Sequence, residues 1–451
     1  MAFWPPVKDP VMRLNRVFCG VAVLLSTAVP FAQAQSLKEL HDAATRYDAA
    51  YLAAQASAQA AQLRVAQAEA AAKGSVSLTG SATATQLDAP RIGSGDTNPI
   101  AAAVAGRYPL INRTTQLTIE QARKSLVGAT ADLEAAQQDL ILRLSQAYFD
   151  VLAAQDALAT SRANKAAITE QLASARRNFE VGTATITDTR EAQARFDLAT
   201  AQEIAADNDL QTKRIALDQL VGRQGVQPKG LALPATLPAV NPADAQAWVQ
   251  QADARHPSVR KARMALELAR LEIDRARAAT APTVDAVGSL NANRAAGSSL
   301  SVAGSRGVTQ SASLGVQLTW PLYTGGGAEQ RVKETQVLED KARNDLEAAR
   351  RGVAQITRQA YFGVQSLMAQ VKALEAAESS SQLALEATQL GYRVGVRVNL
   401  DVLNAQTQLF QTRRDLAKSR YEVLLGQLRL KQASGQLQAN DVDAVNALLQ
   451  R

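Results

Sequence analysis

Of the fourteen prolines in this chain, none lies between Pro109 and Pro228 and none follows Pro321. A proline inside a helix removes a backbone donor and clashes with the preceding turn, at a cost of about 3 kcal/mol. Two very long stretches are therefore free to be continuous helix. Both are rich in Ala, Gln, Leu, Arg and Glu, which are strong helix formers, and Asn112 to Glu180 holds a single glycine, Gly128. Unbroken, that segment makes a helix roughly 100 Å long at about 1.5 Å per residue. Compact domains do not use such helices, so the spacing predicts a long coiled-coil assembly.

The two stretches are copies of one unit. Gln146-Ala147-Tyr148-Phe149-Asp150-Val151 returns as Gln359-Ala360-Tyr361-Phe362-Gly363-Val364, an offset of 213 residues. The same offset carries Val181-Gly182 onto Val394-Gly395, Asp188 onto Asp401, Ala192-Gln193 onto Ala405-Gln406 and Gly222 onto Gly435. Earlier in each copy the register differs slightly: Tyr108-Pro109-Leu110 answers Trp320-Pro321-Leu322, and Val65 to Gly80 resembles Ile273 to Gly288. The expected organisation is a leader at 1–34, a first repeat at 35–228, a linker at 229–253, a second repeat at 254–435 and a tail at 436–451. Each repeat reads as helix, strands, long helix, turn, helix.

In the strand segments a period of two replaces the helical pattern. From Ser75 to Thr85 the odd positions are Ser or Thr, while Val76, Leu78, Gly80, Ala82 and Ala84 fill the even ones. From Val308 to Leu322 the apolar set is Ala312, Leu314, Val316, Leu318 and Trp320, against Ser311, Ser313, Gly315, Gln317 and Thr319. Partners at Ile100 to Tyr108 and Thr283 to Asn293 complete two hairpins, about 75–110 and 283–322, with tips near Arg91 to Asp96 and Gly297 to Gly307. Their strands have about the 9 to 11 residues that cross a bilayer. One hairpin alone also fits a soluble sheet with one wet face. Tyr108 and Trp320 favour the membrane, since each places an aromatic at a strand end, as in an interfacial girdle, before a proline expected to end pairing. Four strands cannot close a barrel and lipid does not tolerate open edges, so the membrane reading requires more than one chain.

Arg13 and Arg16 precede an apolar run, Val17 to Phe31, that ends in Ala32-Gln33-Ala34. This pattern predicts a secretory signal peptide cleaved after Ala34. Acylation at Cys19 is the rival, but it needs a small residue where Phe18 stands and an apolar run ahead of it. Cleavage removes the sole cysteine, leaving no disulfide and no thiolate metal site. Of the formal charge of +7, Lys8, Arg13 and Arg16 against Asp9 carry two, leaving five spread along helix faces. That excess does not point to nucleic acid. No later apolar run approaches the roughly 20 residues of a membrane-spanning helix, so membrane insertion falls to the strands.

The spacing from Val181-Gly182 through Asp188 to Ala192-Gln193, with its copy from Val394-Gly395, resembles the TolC-like outer-membrane efflux proteins. The resemblance covers nearly all of the chain after the leader, including the duplication, the hairpin positions and the Tyr-Pro and Trp-Pro junctions. It implies a mainly α fold with transmembrane β, in which three protomers pool four strands each into a twelve-stranded outer-membrane β-barrel above a periplasmic α-helical tunnel. The partners it implies are a homotrimer, a periplasmic adaptor (membrane fusion) protein, an inner-membrane ABC, RND or MFS transporter, and outer-membrane lipid, with no cofactor and no nucleic acid. Val181, Gly182, Val394 and Gly395 fall at the adaptor-docking tips.

By the same resemblance Asp401 matches the acid that rings a closed pore. Arg397 and Tyr392 match its neighbouring latch residues, and Thr187 and Asp188 their partners in the first repeat. An Arg397–Asp188 pair is expected to hold helix pairs together by about 1 kcal/mol. The family often has a second acid one turn after Asp401; here Asn404 stands there, so cation selectivity is expected to be weaker. A bland alternative for both acids is that carboxylates in a first helical turn complement the helix dipole, and for Arg397 that it is a solvated tip charge.

The function these features indicate is a passive, gated export duct serving type I protein secretion or multidrug efflux. The alternative is a structural periplasmic rod or adhesin without a lumen, which has no need of strand alternation and interfacial aromatics. An enzyme is disfavoured because the two histidines, His41 and His256, lie near no candidate nucleophile or acid pair, and no phosphate-binding glycine loop is present. The segment Tyr47 to Ala54 and the tip Ile186-Thr187-Asp188 look more like relatives associated with type I secretion and shared ducts.

Overall fold

A computed structural model describes residues 34–89, 93–232, 238–296 and 307–450. The expected leader, Cys19 and most of the second strand tip lie outside these. The elements run α1 Leu37–Tyr47, α2 Ala49–Ala71, β1 Ser75–Ala82, β2 Thr85–Ala89, β3 Gly93–Ile111, α3 Arg113–Glu180 and α4 Ile186–Val221. The second series is α5 Ala245–Arg255, α6 Pro257–Ala278, β4 Thr283–Ala296, β5 Val308–Thr319, α7 Gly327–Arg393 and α8 Asn399–Ala433, followed by α9 Ala439–Asn446. The proline-free stretches yield helices of 68 and 67 residues, α3 and α7.

The duplication shows in the local chemistry of each break. Between α1 and α2 the chain turns at Asp48, whose side chain accepts from the Tyr51 backbone amide and caps α2. Between α5 and α6 it turns at His256, whose Nδ1 accepts from the Ser258 amide, with Pro257 at the first helical position, where its missing donor costs nothing. The segment expected as a linker at 229–253 thus contains most of α5, and the helical part of the second repeat starts at Ala245 instead of 254. The expected tail contains α9, whose Val442 and Val445 join the main core.

That core lies midway along the long helices. Leu37, Leu40 and Ala44 of α1 pack with Leu140, Ile141, Leu144 and Tyr148 of α3, Leu217 and Val221 of α4, and Leu424 and Leu428 of α8. Tyr148 is fully buried, and its hydroxyl donates to the Lys229 carbonyl at 2.8 Å. Smaller clusters continue along the helices toward their far ends. On the other side of the core α2, α3, α6 and α7 run together to the sheet, cross-linked by ion pairs such as Lys124–Glu267 at 2.5 Å and Arg123–Glu69 at 2.7 Å.

The sheet is antiparallel, in the order β1-β3-β4-β5, with β2 continuing the β1 edge along β3. Both expected hairpins form, and β4 pairs over nearly its whole length with β3 from Asn98 onward, joining them into one surface. Pro109 does not end pairing as expected. It sits opposite Asp285, the register shifts, and Ile111 then meets Val284. A proline is accommodated where a bulge relieves the ladder of its missing donor.

Candidate functional site: a two-faced sheet and two helical tips

Directly opposed residues of an antiparallel pair share a face, so the register sorts every strand residue. Val76, Leu78 and Ala82 of β1, Ile100, Ala102, Val104 and Tyr108 of β3, Val284, Ala286 and Leu290 of β4, and Ala312, Leu314, Val316 and Leu318 of β5 share one face. Ser75, Ser77, Thr79 and Ser81 lie on the other with Arg107, Asp285, Ser289, Asn291, Ser311, Ser313 and Gln317. The apolar face is open in the single chain: Leu314 is 92% exposed and Val76 78%. A monomer in water rarely leaves so contiguous an apolar patch uncovered, and such a patch marks a membrane or protein contact. Tyr108 and Trp320 are exposed at the helix-proximal end of the sheet, with the still more exposed Tyr323 three residues beyond.

On the polar face Arg107 Nη2 donates to Asp285 Oδ2 at 2.5 Å, between β3 and β4. Asp285 is only 2% exposed, whereas Arg107 stays open to the space beside the sheet. This ion pair was not anticipated from the sequence: β3 also carries Asp96 and β4 Arg294, and no pattern in either strand singles out Arg107 with Asp285.

At the opposite end of the molecule the two helix pairs turn at matched glycines. Gly182 (φ +78°) and Gly395 (φ +79°) adopt the left-handed conformation. The amides of Thr183 and Val396 reach back to the carbonyls of Asn178 and Gly391 at 2.8 and 2.9 Å, closing the helices with the same Schellman geometry. Val181 and Val394 are exposed beside them.

The restarts differ. Thr185 caps α4 reciprocally with Asp188: the Thr185 amide and hydroxyl both donate to Asp188 Oδ2, at 2.9 and 2.8 Å, and the Asp188 amide donates to the hydroxyl. The equivalent cap of α8 is Val398, which offers no hydroxyl. Asp401, the counterpart of Asp188, is consequently not drawn into a cap. Its Oδ2 accepts from Arg397 Nη1 at 3.5 Å, a loose contact one turn away on the same strand of chain. Within one protomer the expected Arg397–Asp188 pair is therefore not made, because each group is engaged locally. Thr187 is exposed.

Three polar contacts join the two helix pairs near the tips. Asn178 Nδ2 donates to the Tyr392 hydroxyl at 3.3 Å, Gln171 Nε2 donates to Asn399 Oδ1, and Arg195 Nη2 donates to Asn404 Oδ1 at 2.8 Å. Leu403, fully buried, fills the space between them against Ile168, Leu172, Ala175, Ala192 and Ala199. Tyr392 and Asn404, singled out in the sequence, are thus at the seam; Asn178, Gln171, Arg195 and Asn399 join them without having carried any sequence signal. Among the described residues no cluster of acids and histidines is arranged to hold a metal, and no helix is long and apolar enough to cross a membrane.

Comparison with known proteins agrees with this architecture. The family model described as "Outer membrane efflux protein" matches residues 26–223 and 248–436. Outer membrane protein TolC of Vibrio cholerae is 32% identical over 95% of this chain and 97% of its own length. Alkaline protease secretion protein AprF of Pseudomonas aeruginosa is 33% identical over 69% of this chain and 64% of its own. The CmeC outer membrane channel of Campylobacter jejuni superposes with a TM-score of 0.73 at 16% identity, covering 98% of both chains. The chain is a member of the outer membrane efflux protein family, and it resides in the outer membrane with its helices reaching into the periplasm.

Proposed function

We propose that the protein is the protomer of a passive, gated exit duct. The observation that carries this reading is the sheet: one apolar face, one polar face and two unpaired edges, β1/β2 and β5, continuous with helices about 100 Å long. Lipid covers the apolar face and water the polar one, and neighbouring copies satisfy the edges. Three copies supply the twelve strands that the family resemblance implies, and their helices extend the lumen through the periplasm.

In this reading the tips form the narrow end. Asp401, free of a cap, faces its symmetry mates across the axis. Arg397, Tyr392, Asn404, Asp188 and Thr187 flank it, and the Val-Gly turns at 181–182 and 394–395 meet a periplasmic adaptor. In this reading the duct is passive, and an inner-membrane transporter drives export through it. Relatives named for protease secretion, AprF and PrtF, support type I secretion as one use, while the relative named for efflux, BepC, supports a shared role.

The test is single-channel conductance of the purified oligomer in planar bilayers, beside Arg397→Ala. Small currents that grow in the variant are expected from a duct held narrow at the second tip. A correctly folded, membrane-extracted oligomer that carries no current would leave a rod without a lumen.

A further inference from the structure

We propose that Arg195 sets the ionic selectivity of the narrow end, offsetting the Asp401 carboxylate; the proposal rests on the duct reading above. Asn404 follows Asp401 by three residues on α8, so both side chains emerge on neighbouring parts of one helical face. The Asn404 carbonyl oxygen is held at 2.8 Å by Arg195, which comes from α4 of the other helix pair. Arg195 is fixed there by its neighbours. Ala192 and Ala199, three residues before and four after it, pack against Leu403, placing Arg195 on the α4 face that meets α8.

Arginine stays protonated at any physiological pH, and an amide oxygen orients its charge without cancelling it. Each protomer therefore brings one full positive charge within about one helical turn of Asp401. Arg397 binds Asp401 only at 3.5 Å from an exposed position, so it adds to the same positive surroundings. The closed end then carries alternating guanidinium and carboxylate groups, instead of the purely acidic ring that two acids in succession would give. A carboxylate at position 404 would pair with Arg195 and consume the charge; asparagine keeps it available to the passing ion. A unit charge acting over roughly 7 Å at intermediate screening changes local ion occupancy by about five- to tenfold, which is the scale of effect to expect on permeability.

The experiment measures the reversal potential of the assembled protein in planar bilayers under a KCl gradient, for wild type, Arg195→Gln, Arg195→Lys, Asn404→Asp and the double variant N404D/R195Q. The wild-type permeability ratio of potassium to chloride is expected within about threefold of unity, rising about five- to tenfold in Arg195→Gln and staying at the wild-type value in Arg195→Lys. Asn404→Asp alone should raise the ratio about as far as Arg195→Gln, because the new carboxylate neutralises Arg195, and the double variant N404D/R195Q should raise it by about the same factor again. A conducting Arg195→Gln oligomer with the wild-type reversal potential overturns the proposal and leaves the duct reading intact. A folded wild type that conducts nothing removes both.

Discussion

Replacing Leu314 by arginine separates a lipid-facing sheet from a wet one, because the next residue is an internal control. Leu314 lies near the middle of β5 on the apolar face, and Ser313 beside it points to the polar face. In water, a leucine that is 92% exposed has few contacts to lose, and the substitution should cost within about 0.5 kcal/mol. In a bilayer, arginine near the midplane of a barrel's outer face costs about 2–4 kcal/mol. The cost recurs in each copy, so a trimer loses roughly 6–12 kcal/mol if the sites are independent. Ser313→Arg forfeits the contact between the Ser313 and Ser289 hydroxyls at 2.9 Å, worth about 0.5–1 kcal/mol, and places its charge on the polar face.

Urea titration of the oligomer refolded in lipid vesicles, followed by the gel shift between folded and heated forms, reads both variants on one scale. Leu314→Arg should lose the folded band at urea concentrations where wild type and Ser313→Arg keep it. Equal midpoints for the two variants would refute the assignment of the apolar face to lipid.

Two further outcomes follow from the mid-helix region. Gly222 and Gly435 are equivalent and both left-handed, at φ +71° and +70°, yet alanine should cost less at the first: its Cβ meets the partly exposed Tyr47 ring, at 2.5 Å, which can swing aside, whereas at Gly435 it meets His256 backbone at 2.6 Å. Gly222→Ala should cost about 1–2 kcal/mol and Gly435→Ala roughly twice that in denaturant titration. Burial holds both His41 and His256 below the usual histidine range, against the weaker pull of Asp42 on His41. Above the ordinary value of 6.5 folded and unfolded chains are both neutral there; below it the unfolded chain takes up protons that the folded one refuses, so stability falls with pH. Thermal melts at pH 7.5 and 5.5 should show that decline, and His41→Gln should reduce it, leaving the share due to His256.

The long helices, the duplication and the two hairpins were legible because each leaves a one-dimensional trace: absent prolines, a constant offset, a period of two. What the sequence concealed depends on the third dimension. Helix α5 hides in a proline-rich neighbourhood, and its counterpart α1, 208 residues earlier, shares only Ala44 with Ala252 at matched positions, so no repeat shows there. Arg107 and Asp285 meet only because β3 pairs β4, a contact between the hairpins that neither hairpin's pattern specifies. Arg195 and Asn404 meet only through the relative stagger of two helix pairs. By contrast, the role of Asp188 could be read locally, since Thr185-x-x-Asp188 before a helical run is a capping signature.

The same comparison explains why two copies of one unit would not behave alike at the narrow end. Both tips stop their first helix with the same glycine geometry, so the turn itself is conserved between copies. At the restart, Thr185 is answered by Val398, which releases Asp401 from the cap that holds Asp188. At the stop, Asn178 is answered by Gly391, where a Cβ would lie 2.8 Å from Arg397 Cγ; glycine there is what lets Arg397 fold back over the end of α7 toward Asp401. The first tip has Ala184 in place of Arg397 and so tolerates Asn178, whose side chain is spent reaching Tyr392 across the seam. Together these differences leave the first tip locally satisfied and the second with a loosely paired, partly exposed acid and an exposed base. In the proposed duct, three such chains would present six tips of two kinds, and only the second kind would bring an uncapped carboxylate toward the axis.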